Sequence, residues 1–154
     1  MPQAGKGGII LYDGVCNLCN AGIWYVIRRD PQKLLHFCSV QTRKGEELAA
    51  SVKLRQADLL RRFAFIDHDT GKVYRASTAA LHVAKYLPYP EKLAYNLLVI
   101  PEGIRDFVYD AVAASRYPVF GRTDVCQRPT PDVLDRFEDR DELEKEGKAS
   151  RVWK

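Results

Sequence analysis

The sequence predicts an α/β protein: a mixed sheet with helices on both faces, followed by a C-terminal helical extension. Three observations carry that expectation. Residues 8–12 and 34–40 are short apolar runs separated by a segment of helical period, the pattern of a parallel β-α-β unit. Residues 63–66 and 73–74 flank the turn-forming run Asp67-His68-Asp69-Thr70-Gly71-Lys72, which predicts an antiparallel hairpin. Past Pro101, apolar residues again recur at helical spacing.

Each element has a local reason. Residues 8–12 read as a buried strand that Asp13-Gly14 breaks. Ile23, Trp24, Val26 and Ile27 then follow helical spacing until Arg28-Arg29-Asp30-Pro31 ends the pattern. The second strand is apolar on both faces, as a central parallel strand should be. A helix with Leu48, Ala49, Val52 and Leu54 as its core face comes next, then a polar break at Arg55-Gln56 and a short helical piece near Leu59-Leu60. After the hairpin, Ser77 or Thr78 is expected to cap a helix carrying Ala80, Leu81, Val83, Ala84 and Leu87, with Pro88 at its end. Pro101 suits the first turn of a last helix, whose stripe is Ile104, Phe107, Val108, Ala111 and Val112 and which Arg116-Tyr117-Pro118 terminates. The resulting order, β-α-β-α-β-β-α, is that of a thioredoxin-like sheet. Residues 1–137 are expected to form a single domain with its extension. The run from Glu138 to Lys148 is almost wholly charged, so residues 138–154 are expected to be a frayed or disordered tail.

Composition excludes several classes of function. A chain of 154 residues can bury roughly two-thirds of its unfolded surface without structural disulfides. Its net charge of +4, from 24 basic and 20 acidic residues, is mild, and the basic residues form no stripe, so no nucleic-acid partner is expected. No apolar run approaches the ~20 residues a membrane span needs. Residues 1–8 lack the apolar core of a signal peptide. The expected setting is cytoplasmic, where the four cysteines are catalytic, metal-bound or inert rather than a disulfide framework.

The chemistry concentrates at Cys16-Asn17-Leu18-Cys19, a CxxC at the junction of strand and helix. A thiol there faces the exposed amides and positive dipole end of the helix, both of which favour the thiolate. Cys16, nearest the helix start and expected to be the more accessible, is the candidate nucleophile. Cys19, one turn on, is the candidate resolving thiol. Asp13 has two readings, a turn and capping residue or a proton acceptor for Cys19. The expected partner is a thiol or disulfide substrate, with no cofactor.

A zinc or iron–sulfur module is the rival reading. Cys38 and His36 share a face of the second strand and, with the CxxC and Cys126, could supply ligands, although a second CxxC or a histidine pair is missing. His68 reads as a turn residue and His82 as a helix-surface residue. Arg116 could attract an anionic substrate, while Tyr117 and Phe120 are expected to pack the last helix.

Tyr12-Asp13-Gly14-Val15-Cys16-Asn17-Leu18-Cys19 resembles the opening signature of the DCC family of predicted thiol-disulfide oxidoreductases. Residues 69–74, leading into Ser77 and Ala80-Leu81, resemble its hairpin and following helix. Arg116-Tyr117-Pro118-Val119-Phe120-Gly121, with Cys126 and Pro129 beyond, resembles its closing motif. The resemblance spans about residues 8–130. It implies a thioredoxin-like fold and a redox-active pair at Cys16 and Cys19 with Asp13 beside them. One departure from thioredoxins at large is that residues 54–62, before the third strand, contain no proline. A different substrate-docking edge is expected, and a fold kept for partner binding without turnover is a third reading.

Overall fold

The computed structural model describes residues 7–14, 16–115, 118–119, 121 and 136–138. Four strands form one sheet in the order β2-β1-β3-β4. They are β1 (Gly8–Tyr12), β2 (Leu35–Ser39), β3 (Ala64–Asp67) and β4 (Lys72–Arg75). β1 runs parallel to β2, with Ile10 opposite Phe37, and antiparallel to β3, with Ile10 opposite Phe65. β3 and β4 make the expected hairpin. This is a thioredoxin-like α/β arrangement, as the element order predicts.

Side-chain alternation along the strands divides the core in two. Ile10, Tyr12, Leu35, Phe37 and Phe65 point to one face, under α1 (Asn17–Arg29) and α4 (Ala76–Ala84). Ile9, Leu11, Cys38 and Ala64 point to the other, where Ala49 of α2 (Arg43–Ser51) and Leu59 of α3 (Gln56–Arg61) cover them. Burying one such large side chain contributes about 1.5–3 kcal/mol. α2 lies so close to the end of β2 that a Cβ on Gly45 would stand 2.0 Å from the Ser39 carbonyl oxygen, so only glycine fits there.

Three local expectations need correction. α4 starts at Ala76 behind Arg75, and neither Ser77 nor Thr78 is its N-cap. The Ser77 hydroxyl instead donates to Asp106 of α5 (Glu102–Ala114), which also receives the Ser77 amide at 3.4 Å. His82 is buried, not on the surface: its ring stacks on Tyr74 at 3.6 Å between centroids. The apolar stripe of α5 faces outward, with Phe107 76% and Ile104 60% exposed. α5 docks through its polar side, by Asp106 and Asp110 to Arg62, Arg105 to Ser77 and Thr78, and the Tyr109 hydroxyl to the Phe63 amide.

A 3₁₀ helix, Glu91–Val99, joins α4 to α5, where the sequence pattern predicts no element. Its Glu91 carboxylate takes two hydrogen bonds from Arg29 of α1 at 2.8 Å each and another from the Tyr25 hydroxyl. The one cis peptide among the described residues is Tyr89–Pro90, in the turn before this helix rather than before β3. Residues 136–138 lie along β2. The Glu138 amide donates to the Phe37 carbonyl at 2.8 Å, and the Phe137 ring packs 5.3 Å from that of Phe37. Among the described residues no helix is long and apolar enough to cross a membrane.

Candidate active site

The carboxyl end of β1 hands over to α1 through Asp13 and Gly14, and Cys16 is the residue that caps the helix. Its extended backbone (φ −81°, ψ 123°) turns the side chain back over the first turn, where the sulfur accepts the Cys19 amide at 3.4 Å. A sulfur taking a helix-terminal N–H is favoured as the anion, because the donor and the helix dipole both act on its charge. Cys19 lies one turn along the same helix. The two cysteines are therefore neighbours through the geometry of a single helix start, and neither is in a disulfide here.

Accessibility runs opposite to expectation. Cys16 is fully buried, at 0% exposure, whereas Cys19 is partly exposed and packs at the edge of the core cluster under α1. The N-cap conformation is the reason, since it points the first sulfur at the helix and leaves the second on its flank.

Asp13 is buried, and its Oδ1 accepts the Gln41 side-chain amide at 2.6 Å. Gln41 comes from the β2–α2 turn; its own Oε1 accepts the Gly14 amide at 2.8 Å and the Ser39 hydroxyl at 2.6 Å. Asn20, also buried, donates to the carbonyls of Gly14 at 2.7 Å and Cys16 at 2.8 Å. The loop that presents the thiols is thus held from the β2–α2 turn by Gln41 and from α1 by Asn20. Sequence reasoning singled out neither. A signal existed for Asn20, a polar residue in register with the core positions Ile23 and Ile27. Gln41 carried none, because the loop groups it holds, Gly14 and Asp13, lie 27 and 28 residues away.

The remaining candidates disperse. Cys38 is buried on the α2/α3 face of the sheet, its sulfur 3.9 Å from the Thr42 hydroxyl, while Cys19 packs on the α1/α4 face. His36 lies 3.6 Å from Glu138. Among the described residues no three His, Cys, Asp or Glu side chains gather in a metal-binding group. His68 sits in the β3–β4 turn, as expected. Cys126, Arg116, Tyr117, Phe120, Pro129 and residues 139–154 lie outside the described residues.

A family model described as DCC1-like thiol-disulfide oxidoreductase matches residues 10–122, a stretch that begins on β1 and takes in both thiols. The chain belongs to the DCC1-like thiol-disulfide oxidoreductase family. Two relatives are similar over most of the chain. An uncharacterized protein of Bacillus subtilis, YuxK, is 39% identical over 129 residues, covering 84% of this chain and 92% of that protein. A chloroplastic DCC family protein of Arabidopsis thaliana is 38% identical over 124 residues, 79% of this chain and 70% of the relative. No solved structure matches. Membership supports thiol-disulfide chemistry for this DCC1-like chain.

Proposed function

We propose that this DCC1-like protein is a thiol-disulfide oxidoreductase that works in the cytoplasm with its own Cys16–Cys19 pair and no cofactor. The observation that carries the proposal is the N-cap geometry: one helix start supports the Cys16 sulfur by an amide and sets the second thiol a turn away. Such a pair exchanges disulfides without external machinery. The Cys16 thiolate attacks one sulfur of a substrate disulfide and expels a thiolate. Cys19 then loses its proton and attacks Cys16, releasing the second substrate thiolate and closing the protein disulfide. Two electrons pass from the pair to the substrate. Asp13, which shares its surroundings with Cys19, is proposed to accept the Cys19 proton.

The burial of Cys16 favours a second reading with the order reversed, in which the partly exposed Cys19 meets substrate first and Cys16 resolves. Alkylation mass spectrometry across a glutathione or dithiothreitol titration tests the activity itself. A reversible dithiol–disulfide transition between roughly −200 and −270 mV is expected. A pair that stays reduced in strongly oxidising buffer, with the fold intact, would sink the proposal. Single-cysteine variants separate the two orders. Cys19→Ser trapping mixed disulfides while Cys16→Ser is inert assigns attack to Cys16, and the converse assigns it to Cys19.

A further inference from the structure

A cavity of about 410 Å³ runs along α1, with Cys19 and Asp13 in its lining and Cys16 outside it. Its floor includes Ile10 and Tyr12 of β1. From Cys19 to Val26, both of which line it, α1 rises roughly 10 Å. The volume falls within the range of small-molecule sites.

The cavity owes its width to small residues on facing walls. Gly22 of α1 lines one side, and Ala80 and Ala84 of α4 with Ala94 of the 3₁₀ helix line the other. A mid-helix glycine costs about 1 kcal/mol relative to alanine. Nothing stands within 4 Å of the position a Gly22 Cβ would take, so packing does not demand glycine there. What the missing side chain preserves is open space beside the reactive thiol. Polar groups are few. Glu91 and Tyr25 also line the cavity, but the Glu91 carboxylate is engaged by Arg29 and Tyr25, which hold its pKa down to about 2. It offers little to a charged or peptide-like ligand.

We infer that the cavity is the substrate site of this oxidoreductase, and that it takes small neutral disulfides with apolar bodies, seating the sulfur–sulfur bond at the Cys19–Asp13 end. The inference rests on the redox reading above. The reaction is that exchange in its reversed order, because Cys19 lines the cavity and Cys16 does not. Cys19 gives up its proton and attacks one substrate sulfur, expelling the first thiolate, and Cys16 then attacks Cys19, so that the pair becomes a disulfide and two apolar thiols leave.

The test compares dibutyl disulfide with bis(2-hydroxyethyl) disulfide and oxidised glutathione as oxidants of the reduced protein, and measures binding of dibutyl sulfide, which cannot be reduced, by calorimetry. The expected kcat/KM ratio favours the butyl compound by about 10-fold or more, the discrimination that burying a few methylenes provides. Gly22→Leu, which fills the cavity from α1, should collapse that ratio and abolish dibutyl sulfide binding. Ala80→Leu does the same from the opposite wall, so the result does not hang on one variant folding. Equal rates for apolar and polar disulfides, or a ratio untouched by both fillings, overturn the substrate class while the redox reading stands. A pair inert toward every disulfide, in a protein that still binds dibutyl sulfide unless the cavity is filled, overturns the redox reading and keeps the site. Inertness together with no binding removes both.

Discussion

α1 carries a buried carboxylate beyond each of its ends, and the two are built differently. Past the carboxyl end, Asp30 receives the Leu35 amide at 2.9 Å, the Leu34 amide at 3.3 Å and the Arg136 guanidinium at 2.5 Å. Arg136 is itself buried and donates further to the carbonyls of Leu35 and Ile27. Before the amino end, Asp13 Oδ1 receives the side-chain amide of Gln41, and Asp13 lines the same cavity as Cys19. An ion pair buried among backbone partners is a clamp: it closes the β2 edge with a segment 106 residues away. A carboxylate that lines one cavity with Cys19 is where the proposed proton acceptor would have to stand. Buried charge alone therefore does not mark function; the partner chemistry does.

The largest expected effect breaks the clamp. Arg136→Met leaves the Asp30 carboxylate buried without its cation, and urea denaturation should show a loss of about 3–5 kcal/mol. The Cys16–Cys19 midpoint of the protein that remains folded should be unchanged. A loss below about 1 kcal/mol would make the pair a surface-like contact and erase the contrast.

Asp13→Asn is the complementary experiment. An asparagine oxygen can still accept the Gln41 amide, so the stability change should stay under about 1 kcal/mol. If Asp13 takes the resolving proton, disulfide closure should slow by about 10²-fold, measured by stopped flow. Removing a negative charge beside the thiols should also quicken their alkylation at low pH. Unchanged closure and alkylation would leave Asp13 as a structural residue like Asp30.

Gln41→Leu sharpens the same end. It deprives Asp13, the Gly14 amide and the Ser39 hydroxyl of a shared partner, for an expected loss of about 2 kcal/mol. Unlike Arg136→Met, it should also alter closure kinetics, because it loosens the loop that presents the thiols.

The smallest effect lies away from α1. Burial first, then Lys85, pushes the His82 pKa below its ordinary value, against an opposing pull from Asp67 at 3.9 Å. A base whose folded pKa is depressed binds protons more readily when unfolded. Stability should thus be complete above about pH 6.5 and decline as pH falls toward the folded value. In His82→Phe, which keeps a ring against Tyr74, that decline should flatten; an unchanged pH slope would assign it to other groups.

Much of the sheet and the placing of Cys16 and Cys19 were legible in the sequence. Residues 8–12, the helix from Asn17 and the hairpin around Asp69-Thr70-Gly71 follow from apolar period and turn chemistry, which act over a few residues. The CxxC at the start of α1 is equally local, because one turn of helix brings the two thiols together. α5 shows where such reasoning stops. Its stripe Ile104, Phe107, Val108 and Val112 has the period of a core face, yet all four are exposed, since Asp106, Tyr109 and Asp110 find partners on Ser77, Phe63 and Arg62. Period tells which residues share a face but not which way the face turns.

What the sequence determined by itself is the strands and α-helices, their order, and the placing of Cys16 and Cys19 at a helix start. Dihedral preference, hydrophobic period and capping are decided within one element. Only the tertiary structure decided which thiol is accessible, that Gln41 reaches Asp13, that Arg136 neutralises Asp30, and that Gly22 faces Ala80 and Ala84 across an open cavity. Each of these depends on polar or small side chains from distant segments meeting in space, and no local pattern records which distant segment will supply the partner.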